Sequence, residues 1–86
     1  MKVIFHKNFK KQYKKLRPGE QKNFIERIAL FAENHQHSIL NNHALRGEYK
    51  NYRSVNITGD IRALYELIDE DTALFIIVDT HSNLYF

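Results

Sequence analysis

The sequence contains no cysteine and no tryptophan, one proline and three glycines among its 86 residues. Without cysteine, the chain forms no disulfide and offers no thiolate to a metal, which fits a reducing compartment. No apolar run approaches the roughly 20 residues that are needed to cross a membrane. The opening residues MKVIFHK hold too short an apolar stretch for a secretory signal peptide. These absences, with the chain length, predict a single domain over 1–86 that is located in the cytoplasm.

Positive charge is concentrated in the first quarter of the chain. Residues 1–22 hold eight basic residues and one acidic residue, whereas residues 23–86 hold five basic and nine acidic residues. The lysines recur at a spacing of four, and like charges at that spacing destabilise a helix. Because local stability does not favour this arrangement, it predicts a polyanionic partner, either nucleic acid or an acidic protein segment. A solvated helix face is the alternative. The candidate RNA-binding lysines are Lys10, Lys11, Lys14 and Lys15.

Hydrophobic periodicity predicts one strand, two helices and then three strands. A short strand covers 2–6, and a first helix capped by Asn8 follows, with apolar residues at helical spacing. A Pro-Gly break separates it from a second helix over about 20–34. The three later strands are predicted at 52–58, 61–68 and 73–79.

The run at 73–79 is almost entirely apolar, which is typical of a central strand covered on both faces. It is therefore expected to pair with the first strand. The element order predicts an α+β domain, β-α-α-β-β-β, with a four-stranded, largely antiparallel sheet and a helical hairpin on one face. Polar side chains would then gather on the uncovered face.

Metal-free RNA cleavage is one reaction that such a face could support. It needs a base for the 2′-hydroxyl proton, an acid for the leaving 5′-oxygen and cations for the phosphate. Histidine suits either proton-transfer role, and His81 follows the last predicted strand. An ordinary surface histidine is the alternative. His35 and His37 lie in a polar loop without a third ligand of suitable spacing, so they predict no metal site.

Three segments together resemble the RelE/YafQ branch of bacterial type II toxin–antitoxin toxins. They are HALRGEYKNYR at 43–53, ITGDIRALY at 57–65 and DTHSNLY at 79–85, about half of the chain with the intervening residues. The resemblance implies a single RelE/ParE-like toxin domain with ribosome-dependent mRNA endoribonuclease activity that inhibits translation. Its implied partners are mRNA, the ribosome and a cognate acidic antitoxin that wraps the toxin. It implies no cofactor, no metal and no membrane.

The resemblance also implies roles for individual residues. His81 matches the catalytic histidine of YafQ-like toxins, and His43 and Asp60 match two further active-site positions. Tyr85 matches the aromatic residue that closes the site, and Arg62 matches a catalytic arginine of RelE-like members. The plainer interpretations are a turn residue for Asp60 and a structural residue for His43.

Two positions depart from the family pattern. Asn56 stands where YafQ-like toxins have a histidine, and Ile77 stands where they have a phosphate-binding arginine. Asparagine can hydrogen-bond to RNA but does not take up a proton at neutral pH, and isoleucine does neither. Arg62 or Arg53 is expected to supply the missing positive charge.

Two other functions fit a chain of this kind. A ParE-like toxin on the same fold would inhibit DNA gyrase by binding and would need no catalytic histidine. A non-catalytic basic module would bind RNA or protein without cleaving it. The pairing of His81 with Tyr85 near the end of the chain favours the nuclease over the gyrase inhibitor.

Overall fold

A computed structural model of the chain describes residues 1–85, without the side chain of Tyr85. The strands are β1 (Lys2–Phe5), β2 (His43–Ala44), β3 (Arg53–Asn56), β4 (Ile61–Asp69) and β5 (Thr72–Thr80). The helices are α1 (Lys7–Lys14), α2 (Pro18–Glu33) and α3 (His81–Tyr85), and short 3₁₀ turns cover Ser38–Leu40 and Gly47–Tyr49. No helix among the described residues is long and apolar enough to span a membrane.

The strands form one mixed sheet in the order β1-β5-β4-β3-β2. β1 pairs with β5 in parallel, and the other neighbours are antiparallel. The predicted α+β class, the largely antiparallel sheet and the pairing of the first strand with the last are therefore confirmed. The sheet has five strands rather than the predicted four. The additional strand β2 has two residues, too few for an alternating pattern to show in the sequence.

An aromatic layer joins both helices to one face of the sheet. Phe9 of α1 and Phe24 of α2 have ring centroids 5.3 Å apart, and Phe31 of α2 lies 4.9 Å from Tyr65 and 5.2 Å from Phe75. These five residues are each at most 5% exposed. Burial of one such side chain contributes about 1.5–3 kcal/mol, so this layer dominates the core. The opposite face of the sheet carries the alternate residues of each strand.

The helix starts differ from their predicted positions. Nδ1 of His6 accepts a hydrogen bond from the backbone N–H of Asn8 at 3.1 Å, so His6 caps α1 and Asn8 lies in its first turn. α2 begins at Pro18 rather than near Glu20, because proline is well tolerated in a first helical turn. Oε1 of Glu20 accepts from the N–H of Arg17 at 2.9 Å and completes this start.

The β4–β5 turn anchors the beginning of the chain. The N–H of Lys2 donates to the carbonyl oxygen of Asp71 at 2.7 Å, and the Met1 amino group lies 3.5 Å from the Asp71 carboxylate. The N–H of Asp71 donates to Oδ1 of Asp69 at 2.8 Å, and this bond lowers the pKa of the Asp69 carboxyl. Lys2 therefore lies at the opposite end of β5 from Thr80.

Candidate active site

The sheet face opposite α1 and α2, called here the polar face, presents two cross-strand rows. Residues that pair across neighbouring strands point to the same side of a sheet. One row consists of Asn56, Arg62 and Asp79. The other consists of His43, Ser54, Leu64 and Ile77. The pairing register thus brings Asn56, Arg62 and His43 to one face of the sheet.

The β5–α3 junction lies against the β3–β4 turn. The backbone N–H of His81 donates to the carbonyl oxygen of Asp60 at 2.8 Å. Both residues are exposed, and His81 is the first residue of α3. Arg62 lies on β4 two residues after Asp60, so the backbones of His81, Asp60 and Arg62 lie at one end of the sheet.

Arg62 is fixed at the base of that turn. Its Nη1 donates to the carbonyl oxygens of Thr58 at 3.0 Å, Gly59 at 3.2 Å and Ile61 at 3.2 Å. Oγ1 of Thr58 also accepts from the N–H groups of Asp60 at 3.1 Å and Ile61 at 2.9 Å. A guanidinium has five N–H donors, so bonds at one nitrogen leave donors for an anion.

His43 is exposed, and its Nδ1 lies 2.7 Å from the carbonyl oxygen of Asn41. A carbonyl oxygen only accepts, so Nδ1 is the donor in this contact. In the neutral ring, Nε2 is then the nitrogen that accepts a proton. In this tautomer Nε2 carries no proton, and a histidine that acts as a general base needs one such nitrogen.

The structure does not bring Arg53 to the polar face. Arg53 pairs with Tyr65 on the helix-covered side, and its Nε donates to Oδ1 of Asn42 at 2.8 Å. Nδ2 of Asn42 in turn donates to the Tyr65 hydroxyl and to the carbonyl oxygen of His35, each at 2.8 Å. Arg53 therefore holds the loop before β2 to the core, and the proposed site does not include it.

The lysines of the first helix lie in the helix layer. Lys10, Lys11 and Lys14 are exposed on α1. Lys10 and Lys14 border an apolar groove of about 380 Å³, whose other lining residues are Phe5, Phe9, Tyr13 and Phe24. No lysine or arginine forms an ion pair with a carboxylate within residues 1–85. The positive charge of α1 is therefore open to an external anion.

Lys15 borders a second opening, a cleft of about 320 Å³ at the end of the sheet. Arg17, Asp79 and Thr80 also line it. Thr80 directly precedes His81, so the cleft adjoins the candidate active site. Arg17 was not among the residues predicted from the sequence to bind RNA. Its position two residues after Lys15, at the Pro-Gly break, is the signal that would have indicated a second cation beside this cleft.

The two departures from the family pattern both lie on the polar face. Asn56 is paired with Arg62, and Ile77 is half-buried beside Leu64. The Tyr85 side chain, predicted to close the site, lies outside the described residues. In the described part of the chain, no three histidine, aspartate or glutamate side chains form a group that could hold a metal ion.

Comparison with known proteins gives the family. All of residues 1–86 match the family model described as a bacterial toxin of type II toxin–antitoxin systems, YafQ. No curated protein sequence matches the chain. Among solved structures, YafQ from E. coli BL21(DE3) has a TM-score of 0.76 at 18% identity, covering 98% of this chain and 97% of that one.

Two further structures share the fold. The YoeB/ParE toxin from Agrobacterium tumefaciens has a TM-score of 0.76 at 16% identity, covering 94% and 99% of the two chains. The E. coli DinJ-YafQ toxin–antitoxin complex gives 0.73 at 19% identity, with 98% and 96% covered. Because the family model spans the whole sequence, the chain belongs to the YafQ family of bacterial toxins of type II toxin–antitoxin systems.

Proposed function

We propose that the protein is a ribosome-dependent mRNA endoribonuclease that inhibits translation. The observation that supports this most directly is the backbone bond from His81 to Asp60, next to the fixed guanidinium of Arg62. An acid, a candidate base and a cation are what cleavage by a neighbouring hydroxyl requires. Family membership supports the same reading.

The proposed reaction uses only side chains. His43, through Nε2, or Asp60 takes the proton of a 2′-hydroxyl. The 2′-oxygen then bonds to the adjacent phosphorus while the bond from phosphorus to the 5′-oxygen breaks. His81 gives a proton to that leaving oxygen, and Arg62 stabilises the charge on the phosphate. The products carry a 2′,3′-cyclic phosphate and a 5′-hydroxyl, and Tyr85 is proposed to stack on or orient a base.

An acidic antitoxin is the proposed neutralising partner. One relative in fold is a toxin–antitoxin complex, DinJ-YafQ. The α1 surface here combines an apolar groove with lysines that form no ion pair within residues 1–85. A disordered acidic segment could fold onto such a surface and cover its charge. The same charge is proposed to contact mRNA and the ribosome, and the protein is accordingly proposed to be cytoplasmic.

Gyrase inhibition is the second candidate. It is favoured by the likeness to a structure named YoeB/ParE and by the apolar Ile77, which cannot bind a phosphate. A toxin of that kind would act by binding, without a proton-transfer residue.

Expression followed by two assays separates these candidates. Expression without a partner should stop growth, and primer extension on ribosome-associated mRNA should reveal new 5′ ends inside coding regions. DNA supercoiling by purified gyrase should be unaffected. Inhibited supercoiling with intact mRNA would favour the gyrase inhibitor, and harmless expression of a folded product would contradict both.

A further inference from the structure

Two polar atoms on the polar face of β3 have no hydrogen-bond partner among the described residues. They are the hydroxyl oxygen of Ser54 and the side-chain oxygen Oδ1 of Asn56, and both atoms are buried. Ser54 is 0% exposed, whereas Asn56 as a residue is half-buried. Native proteins leave few buried polar atoms unpaired because each one destabilises the fold. Two on one strand, two residues apart, therefore call for an explanation.

Their position indicates what they could bind. Ser54 and Asn56 alternate with Val55, so both side chains point to the polar face. Ser54 is the cross-strand neighbour of His43, and Asn56 is the cross-strand neighbour of Arg62. The unpaired atoms thus lie between the candidate base and the fixed cation, where the proposed reaction would place ribose and phosphate.

The chemistry of Asn56 Oδ1 restricts its partner. An amide oxygen only accepts hydrogen bonds. Along an RNA backbone the donor is the 2′-hydroxyl, since the phosphate and ring oxygens only accept. The 2′-hydroxyl that attacks must give its proton to the base, so the donor to Asn56 belongs to a flanking nucleotide.

We infer that Asn56 forms a ribose subsite. Asn56 Oδ1 accepts a hydrogen bond from the 2′-hydroxyl of the nucleotide that flanks the cleaved bond. Ser54 lies on the same strand, but at 0% exposure it is not itself a contact of the RNA. The terminal amide of asparagine rotates readily, so Oδ1 can turn toward a strand lying on this face. The inference rests on the proposed nuclease function and extends it to recognition of RNA over DNA.

The first test measures binding to two strands. A fluorescein-labelled single-stranded RNA and the all-2′-deoxy strand of the same sequence are titrated with the full chain carrying His81→Ala, so that the RNA survives. Asn56→Leu, which is similar in size and lacks the acceptor, should weaken RNA binding by about two- to tenfold and leave DNA binding unchanged. Ser54→Ala should leave the binding of both strands unchanged, because Ser54 is 0% exposed.

The second test measures the stability of the free protein. Ser54→Ala removes an unpaired polar atom from a buried position, so the melting temperature should rise, by about 4 °C. Loss of a hydroxyl that has a hydrogen-bond partner in the fold would instead lower the melting temperature. The exposed control variants Asn23→Ala and Ser38→Ala should alter neither measurement. Asn56→Ala replaces Asn56→Leu if the leucine prevents folding.

The outcomes separate this inference from the proposed function. If Asn56→Leu lowers RNA and DNA binding equally, or lowers neither, the ribose subsite is wrong while cleavage by the unsubstituted protein stands. If the unsubstituted protein neither binds nor cleaves RNA, the nuclease proposal fails and the subsite with it.

Discussion

The backbone N–H of His81 donates a hydrogen bond to the carbonyl oxygen of Asp60 at 2.8 Å. Only main-chain atoms take part, so the bond persists when either side chain is replaced. It joins the start of α3 to the β3–β4 turn. Substitutions of His81 can therefore test the side chain without releasing α3 from the sheet.

His81→Ala should lower RNA cleavage by about 10²–10⁴-fold, which is the usual contribution of a general acid. The residue is exposed, so the free energy of unfolding should change little. His81→Gln should fail similarly, because glutamine delivers no proton at neutral pH. Primer extension on ribosome-bound mRNA measures cleavage, and thermal melts check the fold.

Cleavage should also survive EDTA. Ribosomes need magnesium, so this arm uses free RNA at high protein concentration. Near-normal cleavage by both His81 variants would remove His81 from the mechanism and leave Asp60 and Arg62 as the centre of the site.

Arg62 has two separable roles. Arg62→Ala removes the Nη1 bonds to three turn carbonyls and the charge near the phosphate. The free energy of unfolding, measured in urea, should fall by about 1–2 kcal/mol. The kcat for RNA cleavage should fall by about 10²–10³-fold. Arg62→Lys keeps the charge but loses the planar fork, so it should recover part of kcat and little of the stability. If Arg62→Ala and Arg62→Lys lose equal amounts of kcat and of unfolding free energy, Arg62 acts through the turn alone.

His6 stabilises the start of α1. Its Nδ1 accepts from the N–H of Asn8, so His6→Ala should lower the free energy of unfolding by about 1 kcal/mol. His6→Asn supplies another capping acceptor and should restore most of it. Urea denaturation of the three proteins measures this. If alanine and asparagine behave alike, the cap contributes nothing measurable.

Long periodic elements could be predicted from the sequence because their pattern repeats. The apolar run at 73–79 identified an interior strand, although β4 rather than β5 occupies the centre of the sheet, and the starts of α1 and α2 were predicted within about two residues. β2 and α3 were missed because two and five residues are too short for a repeat. The His6 cap was missed because Asn8 is the more common capping residue type.

The site could be predicted in part. Alternation along the strands already separated Arg53 from Asn56 in the sequence, yet both were proposed to contact RNA. Only the register shows Arg53 bonded to Asn42 on the other face. The unpaired atoms of Ser54 and Asn56 depend on what covers them, and no sequence pattern encodes that.

The cleft beside His81 gives a prediction about charge. Lys15 and Arg17 line it together with Glu20 and Asp79, and neither basic side chain forms an ion pair with a carboxylate of the described residues. If single-stranded RNA passes through this cleft toward the site, the pair neutralises two phosphates. The double variant Lys15→Gln/Arg17→Gln should then reduce the slope of log K against log salt by about 1.4, at about 0.7 per phosphate.

A matched control removes the same charge elsewhere. Lys2→Gln/Lys22→Gln also loses two exposed basic residues, but Lys2 lies at the other end of β5 and Lys22 lies on α2. Its salt slope should stay close to that of the unsubstituted chain, because neither lysine is near the proposed path of the RNA. Fluorescence anisotropy across a salt series, with His81→Ala in every protein, gives both slopes. If the slope of log K against log salt falls equally in the two double variants, the effect comes from net charge. The cleft is then not the path of the RNA.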